Sequence, residues 1–165
     1  MEVDPDQDKT HYQLISARAA AYGGYESTVI YRSRLAAAPD DVREYRFLAC
    51  AYLADHDYPS AGQVVDAGLR LAPGDPQLLE FRGEVRARQD DPDGALADWR
   101  LAVDLNPANL GPLYSSAFLL ERRRRVADAI TAWREIVERS LARGYTLDTE
   151  WPLREIERLE QSGGP

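Results

Sequence analysis

The chain has 165 residues, 44% of them hydrophobic and 29% charged, a composition that suits one globular domain large enough to bury a core. Its 28 acidic and 20 basic residues leave a net charge of −8, so its long-range field repels phosphate backbones and anionic lipid headgroups, and neither nucleic acid nor a membrane is expected as its partner. Cys50 is the only cysteine, which excludes an internal disulfide and a thiolate cage for zinc.

Residues 1–7 read as a disordered acidic N-terminus. Met1 to Asp8 lack the basic and then apolar pattern of an export signal, and no stretch of about 18 apolar residues runs without a charge. A cytoplasmic location is therefore expected. Lys9 is the only lysine among the 20 basic residues, a bias that fits GC-rich bacterial coding rather than a chemical role.

Proline then recurs at positions 39, 73 and 107, two equal intervals between rare residues. A fixed period of this size marks a repeat architecture. Counting back from each proline divides the chain into units 8–41, 42–75, 76–109 and 110–143, the last with Leu141 at the proline position. In the second unit Tyr45, Leu48, Ala49 and Tyr52 follow the i, i+3, i+4, i+7 spacing of a buried helical face. Ala61, Val64, Val65, Gly68 and Leu69 repeat that spacing on a following helix, with Asp55 to Pro59 as the turn between them. Asp41 and Glu44 form a capping-box pattern, and Asp75-Pro76 offers an N-cap followed by proline at N1. No window alternates β-branched residues with period two, so no strand is expected. Residues 144–165 read as a capping helix with Leu153, Ile156 and Leu159 on its apolar stripe, followed by a frayed tail.

These features resemble the tetratricopeptide repeat (TPR) family. In the second unit Tyr45, Leu48, Ala49, Tyr52, Ala61, Val65, Gly68 and Pro73 stand where that pattern places large, small and aromatic residues and its closing proline. In the third unit Leu79, Arg82, Gly83, Arg86, Ala95, Trp99, Ala102 and Pro107 take those places, with Arg82 and Arg86 departing from the usual apolar residues. The fourth unit has Leu113, Ser116, Ala117, Leu120, Ala129, Trp133, Ile136 and Leu141, and is divergent at its end. The first, with His11, Leu14, Ile15, Arg18, Ser27, Tyr31, Arg34 and Pro39, is degenerate. The resemblance implies an all-α, right-handed α-solenoid of about four helix-turn-helix units plus a C-terminal capping helix.

Nothing in the chain assembles an active site. His11 and His56 occupy unrelated places in their units, the glycines form no phosphate-binding loop, and Asp90-Asp91-Pro92-Asp93 lacks the spacing of a calcium loop. Cys50 reads as inert packing, because no histidine or helix N-terminus beside it would lower its pKa. Trp99 and Trp133, at equivalent places on the second helices, read as core. No catalysis, metal or cofactor is expected.

What the resemblance implies instead is a protein-binding scaffold or adaptor, because first helices in this family line a concave groove that holds a segment of a partner. The positions facing it would be Arg43, Arg46, Phe47, Phe81, Glu84, Arg88, Tyr114, Phe118 and Arg122. Arginine and aromatic side chains of this kind dominate binding energy, although the aromatics could equally pack against neighbouring helices. The lysine and asparagine clamp by which co-chaperone members hold heat-shock-protein C-termini is absent in either frame, so weak or no binding of such a tail is expected. Arg122 to Arg125 read as hydrated cations closing a first helix, or else as a patch for an acidic partner. An alternative function is a structural module that assembles through its end faces.

Overall fold

The structure, a computed structural model, describes residues 25–144 and 149–162. Expectations that fall on residues 1–24, including the first helix of the first unit, lie outside them. The described residues form eight α-helices and no strand: α1 Tyr25–Ala37, α2 Val42–Ala54, α3 Tyr58–Leu71, α4 Pro76–Arg88, α5 Pro92–Leu105, α6 Gly111–Arg122, α7 Val126–Leu141 and α8 Glu150–Ser162. Each helix packs on the next, and the first helices of successive pairs also touch, α2 with α4 and α4 with α6. That neighbour pattern is an α-solenoid, stacked so that each pair buries the apolar face left open by the one before.

The turns repeat as closely as the helices. Asp57 and Asp91, at equivalent places in successive units, cap α3 and α5 by accepting from the backbone N–H groups of Ser60 and Gly94 at 3.1 and 3.0 Å. The residue before each cap lies in the left-handed region, with φ of 59° at His56, 65° at Asp90 and 57° at Arg124. A left-handed residue lets the chain reverse within a few residues, and in a non-glycine residue it costs about 1–2 kcal/mol. Arg124→Gly is therefore expected to raise unfolding free energy by about 0.5–1 kcal/mol, part of the relieved strain being lost to the freer unfolded chain. A urea midpoint that stays put or falls would refute this.

Two local expectations change. Asp41 caps α2 through the Arg43 N–H at 3.0 Å, but Glu44 does not reach back to close the box; its carboxylate turns to Arg34 of α1 at 2.6 Å, tying the second pair to the helix before it. On α8 the buried stripe is Pro152, Ile156 and Leu159, while Leu153 is exposed. Pro152 takes the inward place in the first turn, and that rotates its neighbour Leu153 about 100° towards solvent.

Small residues set how closely the helices approach. A Cβ on Gly83 would overlap the Trp99 indole, whose Nε1 donates to the Glu80 carbonyl at 3.1 Å, so α5 presses directly onto the α4 backbone. At the C-terminal end Val103, Leu113, Ala117, Leu120, Ala129, Trp133 and Ile136 form one core, which Ile156 and Leu159 of α8 close.

Candidate functional site

The departures from the repeat pattern are settled by pairing. Arg82 donates to both oxygens of Asp98, Nε at 2.9 Å and Nη2 at 2.7 Å, and Arg86 donates to the same carboxylate at 2.8 Å. Asp98, on α5, is only 4% exposed. Two arginines at usually apolar positions are thus joined to one buried acid, and none of the three faces the first-helix groove as a recognition element.

Much of the predicted groove is also used internally. Arg46 on α2 donates through Nε and Nη2 to Asp75 Oδ2 at 2.9 and 2.6 Å, while Asp75 Oδ1 accepts from the Leu78 N–H and caps α4. One unit later Glu80 on α4 accepts from Asn109 Nδ2 at 2.8 Å, and Asn109 Oδ1 accepts from the Gly111 N–H at the start of α6. Arg46 and Glu80 hold equivalent positions in successive units, and so do Asp75 and Asn109. The same latch therefore binds α2 to the start of α4 and α4 to the start of α6, with donor and acceptor exchanged. Burial pushes the Glu80 carboxyl above the usual range, while the Asn109 bond works against that shift.

Phe47 is a correction. It is 3% exposed and packs 5.5 Å from the Tyr31 ring of α1, because the first helix of the second unit meets the preceding pair at this point. It belongs to the core. Phe81 is half-buried between the apolar clusters around Leu78 and Val85. Arg43 is exposed and engages its own cap residue Asp41 at 2.6 Å. That guanidinium holds the Asp41 carboxyl below the usual range.

Four of the predicted residues do come together. Glu84 and Arg88 of α4 and Phe118 and Arg122 of α6 line one pocket of about 180 Å³, with Ala87, Trp99, Ser115 and Leu119. Phe118 is 46% exposed, although it also meets Trp133 edge-on at 5.3 Å. Arg88 is held in place by Tyr58: its guanidinium carbon lies 5.3 Å above that ring, and Nη1 donates to the hydroxyl at 3.0 Å. Tyr114 is half-buried and stacks on Trp151 at 6.1 Å. Trp151 is the residue that sequence reasoning missed. It is 43% exposed, leaves the buried stripe of α8 and extends the aromatic surface beside Phe118, 5.5 Å away. A tryptophan off the apolar stripe of an otherwise charged helix was the available signal.

The arginine run divides by contact. Arg123 pairs with Asp90, and Arg125 pairs with Asp93 at 3.0 Å and with Asp128 at 2.8 Å, so acidic residues of this same chain meet two of the four cations across successive turns. Arg122 is exposed on the pocket rim and makes no ion pair with any described residue.

Cys50 is half-buried, and burial, helped by the negative charge of Glu84, pushes its thiol up to about 12. It stays protonated at neutral pH, since a raised thiol pKa postpones the thiolate to higher pH. Alkylation by iodoacetamide at about pH 8 is expected to be at least about a hundredfold slower in the folded chain than in urea. Equal rates in the two states would contradict the burial.

No family model matches the chain, and no curated protein sequence is significantly similar to it. Solved structures do match in fold. TTC0263, a thermophilic TPR protein of Thermus thermophilus, superposes with a TM-score of 0.74 at 19% identity, over 93% of this chain and 82% of its own. MamA from Desulfovibrio magneticus RS-1 superposes with a TM-score of 0.62 at 17% identity, over 99% of this chain and 100% of its own. The type III secretion translocator chaperone SycD of Yersinia enterocolitica gives 0.57 at 13% identity, over 74% of this chain and 90% of its own. The chain has the TPR fold. Among its described residues no helix is long and apolar enough to cross a membrane.

Proposed function

We propose that the chain is a non-catalytic interaction scaffold whose concave surface holds a segment of a partner protein. The observation that carries this reading is the exposed pair Phe118 and Trp151 beside the pocket between α4 and α6. Aromatic surface left in water is unfavourable by about 25 cal/mol per Å², and a neighbouring aromatic pair rimmed by charge is what a binding anchor requires. The fold supplies a rigid support, because the latches and the core behind α6 hold the pocket walls before anything binds. Among proteins of this fold, SycD is described as a type III secretion translocator chaperone.

The assembly alternative is less well supported at the C-terminal end, where Ile156 and Leu159 of α8 already pack over the core of the last pair. The test is affinity capture from cells of the source organism with wild type and with the double variant Arg88→Glu, Phe118→Ser. Proteins retained by wild type and lost by the variant are expected. Identical captures would reject the concave surface. Arg46→Glu is unsuited to this test, because it would break the latch to Asp75.

A further inference from the structure

The chain carries a net charge of −8, yet the two side chains that rim the pocket between α4 and α6 at equivalent positions are both cations, Arg88 and Arg122. Their surroundings differ from those of four nearby arginines. Arg123 and Arg125 are occupied by Asp90 and Asp93, and Arg82 and Arg86 by Asp98. Arg122 has no ion pair with a described residue, and Arg88, oriented by Tyr58, meets only Glu84 of its own helix, at 3.9 Å. Between the two arginines lies an apolar and aromatic surface formed by Ala87, Trp99, Phe118 and Leu119, with Trp151 beside it. A pocket of about 180 Å³ has room for one large side chain, not for a folded surface.

We infer that this pocket takes a large apolar side chain, aromatic by preference, from an extended acidic segment of a partner protein, whose flanking carboxylates pair with Arg88 and Arg122. This rests on the concave-surface reading above and specifies its occupant. The charges decide the sign: a basic segment would bring cations against two guanidinium groups with only Glu84 to offset them, whereas carboxylates meet pre-positioned forks.

The test is selection of dodecapeptides from a random display library on the full chain, followed by fluorescence polarisation of the selected consensus peptide. Trp151, the one exposed tryptophan beside the mostly buried Trp99 and Trp133, reports binding independently by its emission. Expected are peptides with acids flanking an aromatic residue, bound about tenfold more weakly by Arg122→Glu and by Phe118→Ser, more weakly at high salt, and with a blue shift of Trp151 emission. Arg122 is exposed, so its variant reads the charge contribution even where Phe118→Ser disturbs folding. Basic or uncharged peptides that need Phe118 but are indifferent to Arg122→Glu would overturn the inference and leave the concave surface standing. Peptides indifferent to both variants, or no enrichment at all, would overturn both.

Discussion

Trp133→Ala is expected to lower the unfolding free energy by about 3–5 kcal/mol, the range for removing a buried tryptophan that leaves a cavity. Trp133 is fully buried, and its ring meets Tyr114 at 5.8 Å, Phe118 at 5.3 Å and Trp151 at 4.9 Å, all near edge-on. Its Nε1 donates to Glu121 Oε1 at 2.7 Å, and Glu121 also pairs with Arg158 of α8, so the indole holds together the fourth pair, the capping helix and the aromatic end of the groove. Removing it strands these partners at once. The loss should appear in denaturant unfolding, with amide exchange accelerating first in α8, whose Ile156 and Leu159 pack into the same cluster. Trp133→Phe keeps much of the volume and should lose about half as much. A loss of less than about 1 kcal/mol in the alanine variant would show that the cluster closes over the gap and that the indole is not the anchor.

Asp98→Ala is expected to destabilise by about 2–3 kcal/mol, less than the roughly 3–5 kcal/mol typical of stripping one partner from a fully buried pair. The discount has a structural cause. The carboxylate is buried, but the side chains of Arg82 and Arg86 keep 27% and 34% of their surface and can turn to water once it is gone. Replacing all three together, Arg82→Leu, Arg86→Leu and Asp98→Leu, is expected to be close to neutral or stabilising, because no buried charge is left and positions 82 and 86 return to the apolar character the repeat pattern uses there. Guanidinium denaturation of the single and triple variants separates the two cases. A triple variant less stable than Asp98→Ala would mean that the ionic cluster itself holds α4 to α5.

The latches limit how a concave position can be interpreted. Arg46 and Phe47, adjacent on α2, look from their spacing like a cation and an aromatic offered to a partner, yet one closes the junction to α4 and the other the junction to α1. Glu84, Arg88, Phe118 and Arg122, chosen by the same rule, converge on one pocket. The difference lies in which residue happens to stand across the groove: Asp75 reaches Arg46, whereas Arg122 makes no ion pair with a described residue.

The helical pairs, the closing prolines, the core placement of Trp99 and Trp133 and the seat of α8 are legible in the chain alone, because they follow from local chemistry: apolar spacing, proline geometry and side-chain caps recur in the second and third units whatever lies beyond them. Which arginines are internal and which face outward, where Phe47 goes, and that Trp151 lies beside Phe118 become fixed only when the helices stack. Those outcomes depend on contacts between residues 12 to 36 apart, such as Arg86 with Asp98 and Arg143 with Pro107, and a charge or ring is neutral information until its partner across the helix stack is known. The period places a residue on a face; the neighbour that closes over it, or fails to, determines whether that face is core, latch or binding surface.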